Sequence, residues 1–123
     1  MRIEIDDLLG TQWAIPANPP ATHDCWTTAL EVRKRMGLKS PTYASSASAR
    51  RHIRNPDTVW TKLDAPTVGC IVRLGYGADH CGVYLGRGRV IHCEHKIGVC
   101  VMELKRVTQL YSGCADFWEL TDA

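Results

Sequence analysis

Between residues 70 and 104 the chain holds four short runs rich in Val, Ile, Tyr and Cys, separated by three turns that carry glycine. The runs are Cys70–Leu74, His80–Leu85, Arg89–His95 and Val99–Leu104, and the turns between them are Gly75-Tyr76-Gly77, Gly86-Arg87-Gly88 and Lys96-Ile97-Gly98. Such runs between such turns predict strands. Connections this short force neighbouring strands to run antiparallel, because a parallel pair needs a crossover of about a dozen residues. A late apolar patch, Phe117-Trp118, is expected to close the sheet.

The first half has a different character. Ile5–Leu9 is expected to form a short helix, and residues 14–23 carry three prolines and must loop. Asp24 is a plausible N-cap for a helix from Cys25 to Met36, where Trp26, Ala29, Leu30, Arg33 and Met36 recur at three- and four-residue spacing. Arg33 is the polar interruption of that stripe. Gly37 stands where a left-handed C-cap belongs. A second short helix is expected near residues 44–54, a turn at Asn55-Pro56-Asp57 and another short element at Val59–Leu63. Helix first and antiparallel strands after is an α+β layout. The 123 residues suit one domain, 1–123, able to bury a core without disulfides.

Several classes of function are excluded at this level. The net charge of +2 is mild and the basic residues are scattered, which argues against nucleic acid. An anionic polymer would suit that balance without being demanded by it. No apolar run approaches the ~18 residues of a membrane span. The acidic start MRIEIDDLLG is not a signal peptide, so synthesis in the cytoplasm is expected, with the six cysteines reduced.

One cysteine is placed for chemistry. Cys25 opens the predicted helix, where free backbone N–H groups and the helix dipole favour an anion and lower a thiol pKa. A histidine nearby would lower it further and return the proton to a leaving amine. His80 and His92 stand twelve positions apart across a predicted hairpin. An odd loop such as Leu85-Gly86-Arg87 puts them on one face, where one can act as base and the other fix its tautomer. A two-residue Arg87-Gly88 turn puts them on opposite faces. On the first register Cys81 and Cys93 face away with Val83, Leu85 and Ile91, as small core residues. The rival is zinc, since His80, Cys81, His92, Cys93, His95 and Cys100 are close in sequence, but no CxxC or HxxxH pair occurs. No metal or other cofactor is expected. Asp24 and Asp79 flank the two key residues and are expected to point away, Asp24 as a cap. His23 and His95 are read as loop and strand-end residues, Arg73 and Arg89 as solvated strand positions.

Segment 24–38, DCWTTALEVRKRMGL, resembles the nucleophile helix of NlpC-type cysteine peptidases, particularly the phage-tail and prophage branch. Segment 79–93, DHCGVYLGRGRVIHC, resembles their histidine hairpin, with its His-x-Gly-x-Tyr-Leu-Gly pattern. Residues 65–74 and Phe117-Trp118 are similar to the strand before that hairpin and to the aromatic ending. The resemblance implies a papain-like α+β fold, with the catalytic helix packed on an antiparallel sheet. It assigns Cys25 as nucleophile, His80 as base and His92 as the orienting third residue. It also implies a peptidoglycan stem peptide as substrate and phage tail proteins as partners, with the protein in a virion tail or delivered to the periplasm. Where the family carries a tyrosine thought to help hold the oxyanion, this chain has Trp13, whose indole N–H is the candidate donor. Pro16-Ala17 stand in place of paired glycines, and Trp26 in place of a small residue after the nucleophile. Asp24 and Trp26 join Trp13 as candidate oxyanion or substrate contacts. The alternatives are an NlpC-like structural or binding module without activity, a wall-degrading toxin, and a zinc-binding regulator.

Overall fold

The computed structural model describes residues 3–56, 58–77 and 80–121, so Asp57 of the expected turn and Asp79 lie outside the described residues. In chain order the elements are β1 (Gln12–Trp13), β2 (Thr22–His23), α1 (Cys25–Arg35), α2 (Ser46–Arg54), β3 (Trp60–Leu63), β4 (Ile71–Leu74), β5 (His80–Gly86), β6 (Arg89–Glu94), β7 (Gly98–Glu103), α3 (Leu104–Leu110) and β8 (Ala115–Leu120). Six strands form one antiparallel sheet in the order β3-β8-β4-β5-β6-β7. Helix and sheet are thus mixed, with the strands of residues 70–104 near the expected places.

One expectation is corrected here and one element is new. Residues 6–10 form turns rather than a helix over Ile5–Leu9. Phe117-Trp118 do join the sheet, as part of a strand within it. β8 runs inside it, with Phe117 opposite Leu63 on one side and Val72 on the other. α3 was not expected at all, although Leu104, Val107 and Tyr111 recur at helical spacing and pack together under the sheet. β1 and β2 add a two-residue parallel pairing at the ends of the proline loop. The segment before β1 lies on the outer edge of β7, where the Gly10 N–H donates to the Val99 carbonyl at 2.8 Å and the Val99 N–H to that of Thr11 at 2.9 Å. Those bonds occupy groups that an edge strand would otherwise leave open.

α1 forms for identifiable reasons. The Thr27 N–H donates to Asp24 Oδ1 at 2.8 Å and the Asp24 N–H to Thr27 Oγ1 at 2.9 Å, a reciprocal cap that satisfies two otherwise orphaned donors. At the far end the Leu38 N–H donates to the Arg33 carbonyl and the Gly37 N–H to that of Lys34, with Gly37 at φ 76°. The buried stripe is Trp26, Ala29, Val32, Arg33 and Met36, while Leu30 is 40% exposed and does not belong to it.

Arg33 is fully buried. Its guanidinium donates to Glu119 through two bonds of 2.8 and 3.3 Å, to the Gly69 carbonyl at 2.6 Å, to the Lys39 carbonyl at 2.5 Å and to Ser40 Oγ at 2.9 Å. It also lies 5.5 Å from the Trp60 ring centroid. The residue that interrupts the apolar stripe is therefore a buried tie between α1, the following loop, the Gly69 turn and β8. Arg73 is likewise not solvated. It donates to both carboxylate oxygens of Asp116, at 2.8 and 2.5 Å, and stacks over Trp118 at 4.8 Å. Arg89 is exposed, as expected.

The sheet has a core on each side. Cys81, Val83, Ile91 and Cys93 join Trp26, Ala29 and Val32 of α1 and Ala49 and Ile53 of α2. On the other face Val72, Leu74, Val90 and Tyr84 meet Leu104, Val107 and Tyr111.

Candidate active site

The hairpin register decides where the two histidines point. Gly82 pairs with His92, Val83 with Ile91, Tyr84 with Val90 and Gly86 with Arg89. The turn is the two-residue one, Arg87-Gly88, with φ of 54° and 74°, positive at both positions as a type I′ turn requires. By itself that turn would separate the histidines. Leu85 forms a bulge between Tyr84 and Gly86, and this extra residue restores the parity. His80 and His92 therefore share a face, and Cys81 and Cys93 point to the other. Gly82, between them, has no room for a side chain. A Cβ there would stand 2.7 Å from the Ile91 carbonyl oxygen and 3.1 Å from the His92 Cβ.

His80 Nε2 and His92 Nδ1 are 2.9 Å apart, and the rings meet edge to face. His92 Nε2 lies 3.6 Å from Cys100 Sγ. Tyr111, at the end of α3, stacks flat on His80 at 4.4 Å and 6° and donates its hydroxyl to Glu94 at 2.5 Å. Two proton arrangements serve these contacts: His80 Nε2–H donates to His92 Nδ1 and His92 Nε2–H to the Cys100 sulfur, or both bonds run the other way. The first leaves His80 Nδ1 as an acceptor.

Cys25 is the first residue of α1 and is buried. A hydrogen bond from the Cys81 thiol, assisted by the His80 ring and its charge and opposed by burial, holds the Cys25 thiol well below the ordinary thiol range. Cys81 is correspondingly held above it, by that bond and by burial, so it stays a protonated donor. Burial pushes Cys93 up to about 12. Of these three core thiols, only Cys25 is held toward its thiolate form. All six cysteines are free.

An open cleft of about 450 Å³ meets this group, lined by Trp13, Ile15, Asp24, Cys25, Arg50, Arg54 and His80. The Trp13 indole N–H makes no hydrogen bond with a described residue, and its ring packs edge-on against His95 at 4.4 Å. Asp24 caps the helix with Oδ1, while its buried Oδ2 has no partner. Trp26 is corrected as a substrate contact. It is 4% exposed and packs against Tyr43 in the core. His23 is buried, bonded to Thr27 Oγ1 at 2.9 Å and away from the cleft. Cys81, Tyr111, Glu94 and Arg50 belong to the surroundings of the site and were not expected there.

His80, His92 and Glu94 place one possible metal-ligand atom each within 4.8 Å of one another. The facing histidine nitrogens are engaged with each other and a Glu94 oxygen with Tyr111, so an ion would have to displace those bonds.

His92 gives the site a pH signature. Burial, reinforced by the nearby His80 charge, pushes its pKa down from 6.5 to about 4. The unfolded chain therefore binds the extra proton first. The stability gained from a neutral buried ring is present above pH ~6.5, declines as the pH falls, and is gone below about 4, a change on the order of 3 kcal/mol. Urea titrations between pH 7 and 4 should show that decline, and His92→Gln should remove this part of it.

A thiol at a helix start beside two imidazoles in contact with each other is an arrangement able to support nucleophilic catalysis. The NlpC/P60 family model matches residues 10–114, and the chain belongs to the NlpC/P60 family. Members of that family are generally cell-wall peptidases or amidases that use cysteine. No curated protein matches the chain.

Proposed function

We propose that the protein is a papain-like cysteine peptidase or amidase that hydrolyses amide bonds in peptidoglycan stem peptides. The observation that carries this is the His80–His92 contact at 2.9 Å beside a Cys25 whose thiol is held low. His80 Nδ1 takes the Cys25 proton, and the thiolate attacks the amide carbonyl. The Cys25 N–H, left free by the helix geometry, and the Trp13 indole face the developing oxyanion. His80 then protonates the leaving amine as the C–N bond breaks. Water attacks the thioester, its proton passes to His80, and the C–S bond opens to release the acid. His92 keeps the His80 tautomer throughout, and the residues of the chain suffice for each step. Residues 1–123 act as one catalytic domain. The resemblance to phage-tail members supports a role carried by a tail and exerted on the wall, with tail proteins as partners.

The test is digestion of purified peptidoglycan by the wild-type protein and by Cys25→Ala, with muropeptides identified by mass spectrometry. New stem fragments are expected with the wild type and none with the variant. Absence of fragments with folded, reduced wild-type protein would overturn the hydrolase and favour a binding module.

A further inference from the structure

The cleft beside Cys25 has a basic wall. Arg50 and Arg54 are four residues apart on α2 and so lie on one helix face, and both line the cleft. α2 contains no acidic residue that could pair with Arg50 within the helix. The contrast with other arginines is informative. Arg33, Arg35 and Arg73 each hold a carboxylate through two bonds. Arg50 makes no hydrogen bond or ion pair with any described residue, although it is half-buried at the reacting centre. Its charge is felt at Cys81, the thiol that bonds to Cys25. A guanidinium matches a carboxylate in shape and in its paired donors. Among the described residues the one acid lining the cleft is Asp24, which is committed to the helix cap through Oδ1.

We infer that Arg50 receives a carboxylate of the substrate next to the scissile bond, so that free-acid stem peptides are selected over amidated ones. The peptide identity rests on the peptidase reading above; the anion site does not. A charge-assisted contact of this kind corresponds to about tenfold or more in selectivity.

Two readouts separate the two ideas. The first is alkylation of Cys25 by iodoacetate and by neutral iodoacetamide, with the modified residue identified by peptide mapping. In both, the thiolate displaces iodide and forms a C–S bond, so the reagents differ at this site by the carboxylate. The iodoacetate-to-iodoacetamide rate ratio is expected to fall about tenfold in Arg50→Gln and to recover partly in Arg50→Lys, which keeps the charge. The same ratio in wild type and Arg50→Gln overturns the anion site. The second readout is kcat/KM for a stem peptide with its carboxylates free and amidated. A free-acid preference that shrinks in Arg50→Gln supports the selectivity, and equal rates on both peptides overturn it. Cleavage of neither peptide, with the alkylation ratio still dependent on Arg50, keeps the anion site and defeats only the peptidase reading.

Discussion

His80→Ala should lower kcat/KM on stem peptides by about a thousandfold or more. The structure says where the loss will fall. Cys25 keeps the bond from Cys81 and its place at the start of α1, so the variant retains some tendency to form a thiolate. What disappears is the group that returns a proton to the leaving amine. An amide needs that proton, whereas an activated aryl ester leaves without it. The loss should therefore be much smaller on a nitrophenyl ester than on a peptide. Steady-state rates on both substrates check this, and a variant within tenfold of wild type on peptides would place the base elsewhere. His92→Ala should be milder, because Tyr111 still stacks on the His80 ring while its tautomer is no longer fixed.

Arg33→Ala should destabilise the fold by about 3–5 kcal/mol, the cost of stripping one partner from a buried ion pair. Glu119 would lose both bonds from Arg33 and keep only that from the Leu120 N–H, and the carbonyls of Lys39 and Gly69 would lose their donor. Domains commonly hold only ~5–15 kcal/mol in total, so this variant should sit near the edge of folding. Urea unfolding measures it. Arg33→Met combined with Glu119→Gln should be less harmful than Arg33→Met alone, since the double change leaves no orphaned charge. A loss under 1 kcal/mol in Arg33→Ala would mean that water replaces the guanidinium at no cost.

The sequence showed the strands of residues 70–104 well because their turns carry glycine and their composition is uniform. α1 was equally plain, since Asp24 and Gly37 bracket it. Other features were hidden for physical reasons. Side-chain alternation names a face only when the register is known, and the Leu85 bulge has no residue signature distinct from an odd loop. Both turn alternatives therefore stayed open for His80 and His92. Arg33 looked like a flaw in an apolar stripe because its partner Glu119 lies 86 positions away. Trp26 was a candidate contact because it follows Cys25, but neighbours on a helix point some 100° apart. Tyr111 was visible in principle, through the spacing that marks α3.

The two halves of the reactive pair come from opposite sides of one sheet. Cys25 arrives with the helical layer that covers Cys81 and Cys93, while His80 lies against Tyr111 on the side that α3 covers. Docking of α1 on the sheet brings the thiol to the imidazole, and docking of α3 adds the Tyr111 ring that lies flat on it. The proposed reaction centre thus draws on both layers through the one sheet that separates them.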